Sequence, residues 1–309
     1  MRKNNRKLSM ENIEILEGRV ELNYDESVAR YLDYCELKSV RPNTIYNYKN
    51  QLTVLKRILI EVEAPINNIT KLTDSDAENV IKTMKNTCKN STINTRITIY
   101  KSFFSYLFKK EFVKKNPFKN ISQLKTQRKV KEVLSASEIK QIFGILDLTV
   151  YTEFRDYCII LLLLESGLRS NEAVSMKIND LHLSDRYVHV RDSKTGERIV
   201  PITGKTAKAL TILVKERGKL EHDYLFTTVS GTRLSTQSFQ TYIANYSKRL
   251  GFHFNCHKFR RTFITNAINK GMNVLTLANI CGNSIAIIHK YYLNQSVSDI
   301  QKAFEDVSD

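Results

Sequence analysis

The feature that most constrains the fold of this chain is a run of branched aliphatic residues that ends beside an arginine. Residues 159–164 read IILLLL, and Glu165, Gly167 and Arg169 follow within five positions. Such a run is typical of a segment that is buried on every side. A cation beside it is costly unless an anion meets it. The sequence therefore predicts a fixed arginine whose partner is a carboxylate, Glu165 or Glu172, or an anionic ligand.

The distribution of charge is the first indication of a partner. The 309 residues have a formal net charge of +16, and residues 81–130 contain 13 Lys and Arg against 1 Asp or Glu. A merely solvated surface usually mixes both signs, so a block of one sign favours a polyanion over a small substrate. Lysine and arginine bind duplex DNA by displacing the counterions of its phosphates. We therefore expect double-stranded DNA as the partner.

The composition disfavours several other classes of protein. The basic N-terminal sequence MRKNNRKLSM lacks the apolar core of a signal peptide, and no apolar stretch approaches the length of a membrane span. The five cysteines are odd in number and show no CxxC spacing, which argues against a disulfide framework and a structural zinc site. The sequence predicts a soluble protein that stays inside the cell and has no membrane partner.

Two domains are expected, because the chain is long for a single core. Residues 1–20 form a basic segment, interpreted either as a DNA-contacting arm or as a disordered tail. Residues 21–116 contain four amphipathic helical patterns, the second of which is expected to be capped by Asn43 or Thr44. Residues 117–131 are polar and basic with weak periodicity, and they predict a linker to a second domain at 132–309.

The second domain is predicted to be mostly helical with one small antiparallel sheet. It opens with LSASEIKQIF, in which Ser135 and Glu138 have the spacing of a capping box. After the apolar helix, DRYVHVRDSKTGERIVPIT alternates around Thr195 and Gly196 as a β-hairpin does. Four further helical patterns follow. The predicted fold class is therefore mainly α with a small antiparallel β-sheet.

Several cationic residues of the second domain stand where local structure fixes them. Lys194 lies at the hairpin tip, and His257 precedes Arg260 by one helical turn. The stretches LESGLRSNEAVSMKINDL, KTGERIVPI and HKFRRTFITNAINKG, together with LSASEIKQIF and SVRPNTIYNY, resemble the sequence boxes of the tyrosine recombinase or phage integrase family. The likeness covers nearly the whole chain and is most specific in the second domain.

This resemblance implies a helical, SAM-like core-binding domain followed by a catalytic domain that cleaves and rejoins DNA through a 3′-phosphotyrosine. It implies that Arg169, Arg260 and His257 bind the scissile phosphate. Lys194 would protonate the leaving 5′-oxygen, a tyrosine near the C-terminus would attack phosphorus, and Glu172 would be an accessory residue. Because two guanidinium groups supply paired, permanently charged donors, this chemistry is expected to need no metal and no other cofactor.

The sequence ICGNSIAIIHKYYLN near the C-terminus departs from the family pattern. Asn283 stands where the family usually has a histidine, and asparagine donates a hydrogen bond without carrying charge or transferring a proton. Losing one stabilising group lowers a rate by about ten- to a thousandfold. Counting nine positions from Asn283 without a gap gives Tyr292 as the nucleophile, whereas loss of one loop residue gives Tyr291. The hairpin between Lys194 and Pro201 is also one residue shorter than the commonest family form.

Two functions remain open at this point. One is a site-specific recombinase, the integrase of a phage or mobile element, and the other is a DNA-binding regulator or repressor that no longer cuts. Either is expected in the bacterial cytoplasm, associated with the nucleoid and assembled on DNA as a homodimer or tetramer. SVSDIQKAFEDVSD predicts an amphipathic helix that packs on a neighbouring subunit or on its own domain. The DNA-binding candidates of the first domain are Arg41, Asn43, Thr44, Tyr48, Lys89, Asn94, Arg96 and Lys101.

Overall fold

The computed structural model describes residues 22–126, 132–191 and 196–292, without the side chains of 289–292. The chain divides into two compact units, with the boundary between Lys129 and Val130. Both units are mostly helical, and the described residues form one three-stranded antiparallel sheet in the second unit. The predicted fold class is therefore confirmed. The N-terminal segment and the predicted C-terminal helix at 296–309 lie outside the described residues.

The first unit is a helical bundle with an aromatic core. Its helices are α1 (Tyr24–Leu37), α2 (Pro42–Glu61), α3 (Asp74–Thr87) and α4 (Asn90–Lys109). Their apolar faces meet around buried side chains such as Tyr100, Phe103 and Phe104. The predicted cap of α2 was wrong. The helix begins at Pro42, because proline suits a first position whose N–H has no helical partner, and Asn43 and Thr44 lie inside the helix.

The segment after α4 stays with the first unit. Phe118 is 1% exposed within the bundle core. Asn94 on α4 donates to the carbonyl oxygen of Leu124 at 2.9 Å and accepts from its N–H at 2.7 Å. Asn90 donates to the carbonyl oxygen of Lys125 at 2.8 Å. Residues 117–126 therefore lie along α4, and residues 127–131 of the segment predicted as a linker lie outside the described residues.

The second unit is organised around the apolar run. Its helices are α5 (Ala136–Gly144), α6 (Tyr151–Ser166), α7 (Ser170–Val174), α8 (Gly204–Arg217), α9 (Thr236–Leu250), α10 (Cys256–Asn269), α11 (Val274–Cys281) and α12 (Ile285–Tyr292). The predicted capping box of Ser135 and Glu138 begins α5. The run IILLLL lies in α6, which packs against both α8 and α10. Because the run packs against more than one helix and Ile159–Leu163 are all buried, it shows no polar face.

The sheet lies beside these helices and leads to the predicted hairpin tip. Its strands, in antiparallel order, are β1 (Leu181–His182), β2 (Tyr187–Val190) and β3 (Arg198–Pro201). Val190 pairs with Arg198, and Val188 pairs with Val200. These three valines are buried, so the alternation of both strands directs one face to the core. Residues 192–195, which include Lys194, lie outside the described residues.

Candidate active site

A sharp turn at the end of α6 positions Arg169. Gly167 ends the helix with a φ of +61°, in the left-handed region that glycine adopts readily. Leu168 is then fully buried, and Arg169 follows as the extended residue that precedes α7. Its side chain is 27% exposed. Arg169 is therefore anchored by a buried backbone and still reaches the surface.

A methyl group at Gly167 is predicted to be strongly destabilising. Its Cβ would lie 2.3 Å from Cδ1 of Phe263, at a positive φ that already disfavours side chains. Backbone strain and overpacking each cost about 1–3 kcal/mol, so we expect Gly167→Ala to destabilise the second unit by about 2–6 kcal/mol. Amide hydrogen exchange in α6 and α10 measures this change. Gly144→Ala is the control, because nothing lies within 4 Å of its added Cβ, and equal losses would contradict the prediction.

Arg260 is the buried arginine of the site and extends from α10. It is 6% exposed. Nη1 donates to the carbonyl oxygen of Gly167 at 2.6 Å, and Nη2 donates to that of Cys281, also at 2.6 Å. Burial lowers the pKa of the guanidinium, but an arginine side chain keeps its charge in proteins. Arg260 thus connects the turn that positions Arg169 to the end of α11.

The C-terminal end of α11 is held by three arginines. Its last carbonyl oxygens have no partner within the helix and carry partial negative charge. Ile280 accepts from Nε of Arg198 at 2.8 Å, Cys281 accepts from Arg260, and Gly282 accepts from Nη2 of Arg169 at 2.5 Å. Three successive carbonyl groups therefore bind three arginines from different elements and hold their side chains close together.

Asn283 lies between two of these arginines. Gly282 ends α11 at a φ of 58°, and Oδ1 of Asn283 accepts from Nη2 of Arg169 at 3.2 Å and from Nη2 of Arg260 at 3.0 Å. A guanidinium cannot accept a hydrogen bond, so the amide oxygen must face both arginines. The Nδ2 group then points away from them and has no acceptor within the described ranges. It is an additional neutral donor at the edge of the site.

Glu172 is the carboxylate of the site and is 3% exposed. Oε1 accepts from Nη1 of Arg169 at 2.8 Å, and Oε2 accepts from the backbone N–H of Arg169 at 3.0 Å. Burial alone would raise the pKa of Glu172, but hydrogen bonds from Arg198 and Arg169 outweigh burial and lower it to about 2. Of the two carboxylates considered as partners for Arg169, Glu172 is the one that binds it. Glu165 instead accepts from hydroxyl groups beside the start of α8.

Arg198 belongs to the same site and is not among the residues predicted from the sequence. Nη2 donates to Oε2 of Glu172 at 2.6 Å and Nη1 donates to Oε1 at 3.2 Å. The side chain is 10% exposed. The alternation of β3 could have identified it. Arg198 lies two residues before the buried Val200 and therefore shares its face of the strand. An arginine on the core face of a strand indicates a buried anion.

We call these five residues the arginine cluster: Arg169, Glu172, Arg198, Arg260 and Asn283. It contains three guanidinium groups, one carboxylate and one amide, so it keeps an excess of positive charge. Guanidinium groups fixed in this way act as planar, charge-assisted donors to oxyanions. Because the donors are fixed before a ligand arrives, little reorganisation is needed when an anion binds. The cluster is suited to a tetrahedral oxyanion such as a phosphodiester.

The other predicted catalytic residues are His257, Lys194 and the two tyrosines near the C-terminus. His257 is exposed in the first turn of α10, one turn before Arg260. Lys194 lies outside the described residues. Tyr291 and Tyr292 are in the last turn of α12, but their side chains are outside the described part. Roles for these four residues stay predictions.

Some DNA-binding candidates of the first unit have partners inside it. Nε of Arg96 donates to Oε1 of Gln51 at 3.0 Å. The amide of Asn94 binds the backbone of residue 124, and the ring of Tyr48 stacks on that of Tyr31 with centroids 5.9 Å apart. These contacts stabilise the bundle without DNA. Polarity and sequence position do not reveal such partners, because they lie on other helices or far along the chain.

The remaining candidates are exposed or partly exposed on the first unit, as are nine lysines of the basic block, which we call the basic surface. Arg41, Asn43 and Thr44 are at the beginning of α2, Lys89 precedes α4, and Lys101 is partly exposed on α4. The basic block contributes the following exposed lysines: Lys82, Lys85, Lys89, Lys109, Lys110, Lys114, Lys115, Lys119 and Lys125. The charge imbalance of residues 81–130 is therefore a property of the surface.

The described ranges offer neither a metal site nor a membrane span. No group of three or more His, Cys, Asp and Glu side chains is arranged there to hold a metal ion. No helix within those ranges combines the length and the apolarity needed to cross a bilayer. All five cysteines are free thiols.

Comparison with known proteins identifies the family. Residues 132–298 match the model of the phage integrase family, and residues 28–111 match that of the phage integrase N-terminal SAM-like domain. The chain belongs to the phage integrase family of tyrosine recombinases. The resemblance drawn from the sequence boxes is thus confirmed, and each matched region lies in one of the two units of this integrase-family protein.

Relatives and solved structures agree with this assignment. XerC of Chlamydia pneumoniae is 26% identical over 297 residues, which cover 88% of this chain and 95% of that protein. A tyrosine recombinase of Pseudothermotoga lettingae is 25% identical over 268 residues, 85% of this chain and 92% of that protein. The integrase of transposon Tn1549, solved with transposon right end DNA, superimposes with a TM-score of 0.78 and 19% identity over 93% of this chain and 100% of that one. A lambda integrase dimer bound to a COC′ core site superimposes with a TM-score of 0.75 and 16% identity. The match covers 95% of this chain and 83% of that one.

Proposed function

We propose that this protein is a site-specific DNA recombinase, the integrase of a phage or mobile element, that breaks and rejoins strands through a 3′-phosphotyrosine. The arginine cluster is the observation on which this proposal depends. Its guanidinium groups come from elements far apart in the chain, and they meet with an excess of positive charge. A merely structural ion pair would need only one arginine for Glu172. A surplus of fixed cations supports an external anion.

Different members of the cluster would donate hydrogen bonds to different oxygens of the phosphate. Arg169 and Arg260 would donate to the non-bridging oxygens, which gain charge as phosphorus becomes five-coordinate. Nδ2 of Asn283 would add a neutral donor in place of the family histidine. His257, exposed one turn before Arg260, is proposed for the same phosphate. The two arginines keep their charge across the physiological pH range, so binding of the phosphate would not depend on their titration.

The chemical step would be a direct exchange of phosphodiester bonds. The hydroxyl oxygen of Tyr292, or of Tyr291, would attack phosphorus while the bond from phosphorus to the 5′-oxygen breaks. Lys194 would supply the proton that the leaving 5′-oxygen takes up. The reverse reaction, attack by a 5′-hydroxyl on the phosphotyrosine, would rejoin the strands. Bond energy is conserved in the intermediate, so the reaction needs no nucleotide and no activated water.

A nicked suicide substrate tests this proposal. A nick close to the cleavage position lets the severed fragment diffuse away, so a covalent complex of protein and DNA accumulates. Wild type should form the complex, and either Tyr292→Phe or Tyr291→Phe should abolish it while the other leaves it in place. The variant that loses the complex identifies the nucleophile. Failure of wild type on its authentic site would favour the second candidate, a DNA-binding regulator, for which Asn283 in place of histidine is the supporting observation.

Assembly on DNA is part of the proposal. Lambda integrase, which shares the fold, was solved as a tetramer bound to a Holliday junction. We propose that this chain also works as a dimer or tetramer on double-stranded DNA in the bacterial cytoplasm, associated with the nucleoid. Sedimentation of the protein with and without a duplex that contains its site distinguishes assembly on DNA from assembly in solution.

DNA binding is predicted to weaken steeply as salt rises. Each phosphate neutralised by a lysine or arginine contributes a slope of about −0.9 to the dependence of log affinity on log salt. Replacing Lys85 and Lys89 by glutamine should therefore reduce the slope by about two if both contact phosphates. The control replaces Lys208 and Lys215, two exposed lysines of α8, and should leave the slope unchanged. A flat salt response of wild type would contradict binding through the basic surface.

A further inference from the structure

We propose that Arg198 is a positioning residue of the arginine cluster. By binding the carboxylate of Glu172, Arg198 leaves Arg169 available to a phosphate. The inference rests on the proposed function, because it concerns how the cluster receives its anion. It assigns a role to a residue of the sheet, at the start of the second strand of the predicted hairpin.

The division of hydrogen bonds on Glu172 is the first argument. Arg198 approaches both carboxylate oxygens, at 2.6 and 3.2 Å. The Arg169 guanidinium reaches only Oε1, at 2.8 Å, and the other donor from that residue is its backbone N–H. The paired, two-pronged contact, which is the stronger geometry for a guanidinium and a carboxylate, thus belongs to Arg198. Arg169 is fixed in place by Glu172 without being its main counter-ion.

Exposure separates the two arginines in the same way. The Arg198 side chain is 10% exposed and the Glu172 side chain 3%, so this pair is enclosed. The Arg169 side chain is 27% exposed and directs its other terminal nitrogen to Gly282 and Asn283. A buried carboxylate that loses one of its two arginine counter-ions is destabilised, so Glu172 would hold the Arg169 guanidinium more tightly if Arg198 were absent. The phosphate would then compete with Glu172 for Arg169.

A second contact connects Arg198 to the donor amide. Nε donates to the carbonyl oxygen of Ile280 at 2.8 Å, three residues before Asn283. The next two carbonyl groups bind Arg260 and Arg169. Arg198 therefore fixes the end of α11 relative to β3, and a change at Arg198 is expected to reach Arg169 and Asn283 together.

The test compares phosphate binding by the full-length protein with binding by variants at Arg198 and Glu172. Inorganic phosphate is titrated into ¹⁵N-arginine-labelled protein, and binding is followed through the arginine Nε–H signals. We expect Arg198→Ala to weaken phosphate binding by about tenfold or more, because Glu172 then occupies Arg169. Removing the carboxylate as well, in Arg198→Ala with Glu172→Gln, should recover most of this loss. The conservative Arg198→Lys should lie between wild type and Arg198→Ala.

Recovery in the double variant distinguishes positioning from simple damage to the fold. If Arg198 only contributed packing, the second substitution would leave phosphate binding as weak or weaken it further, and that result would overturn the proposal. Arg191→Ala is the matched control, since Arg191, directly after β2, forms an ion pair with Asp180 at 2.8 Å but is 53% exposed. Its phosphate affinity should stay within about twofold of wild type.

The assay with the nicked suicide substrate distinguishes a failure of this inference from a failure of the proposed function. If wild type forms the covalent complex, its rate of formation should follow the same order as phosphate affinity across wild type, Arg198→Lys, Arg198→Ala and the double variant. If wild type forms no complex, the proposed catalysis fails, and the phosphate titration alone decides the role of Arg198. Equal phosphate binding by wild type and Arg198→Ala would overturn the inference in either case.

Discussion

Arg169→Lys is expected to slow formation of the covalent complex by at least about a hundredfold while DNA affinity changes little. The charge is kept, so the loss would come from geometry. Arg169 uses separate nitrogens for Glu172 on one side and for Gly282 and Asn283 on the other. Lysine has a single nitrogen and cannot hold this arrangement while donating to a phosphate oxygen. Single-turnover cleavage of the nicked substrate, with DNA excess above the dissociation constant, measures the effect.

The control for this substitution is Arg249→Lys. Arg249 is an exposed arginine of α9 that lies over the ring of Tyr246, so the same change of side chain is made outside the cluster. Its cleavage rate should equal that of wild type. Hydrogen exchange in α11 should also be compared, because Arg169 binds the last carbonyl of that region. A cleavage rate for Arg169→Lys within threefold of wild type, about 0.6 kcal/mol, would show that charge alone suffices.

Asn283→Asp is expected to slow cleavage by about a thousandfold and at the same time to stabilise the second unit. An aspartate oxygen in place of Oδ1 would keep the hydrogen bonds from Arg169 and Arg260 and strengthen them by charge. The second oxygen would replace the Nδ2 donor with an acceptor that repels phosphate. Like charges about 4 Å apart at an effective dielectric constant of about 20 cost about 4 kcal/mol, which corresponds to about a thousandfold in rate.

Two measurements in opposite directions make the Asn283 prediction specific. The cleavage rate should fall, while the thermal midpoint of the protein should stay the same or rise. Asn279→Asp adds the same charge on an exposed position of α11 and should leave cleavage within about twofold of wild type. If Asn283→Asp cleaved as fast as wild type, the amide would not face the phosphate. If Asn283→Asp unfolded at a much lower temperature than wild type, the side chain at position 283 would not accept hydrogen bonds from Arg169 and Arg260.

The local features of the chain were predictable because they depend on neighbouring residues. The capping box of Ser135 and Glu138, the buried helix formed by IILLLL and the strands around the hairpin follow from spacing and periodicity. The sequence boxes and their order indicated the family, because each box is a short pattern that can be read within the chain. The capping of α2 was mispredicted, because Pro42 suits the first helical position and the polar residues after it suit a cap. The helix begins at Pro42, so Asn43 and Thr44 cannot cap it.

The sequence by itself determined the two-domain, mainly helical architecture, the family and four of the five members of the arginine cluster. Tertiary structure decided what those members do to one another. Arg169 and Gly282 are 113 positions apart in the sequence, and Arg198 and Glu172 are 26 positions apart. Partners at such separations are set by the path of the chain, which no local period encodes. The orientation of the Asn283 amide and the pairing of Arg198 with Glu172 therefore followed only from the folded chain, because each depends on which charged groups the fold brings within hydrogen-bond distance.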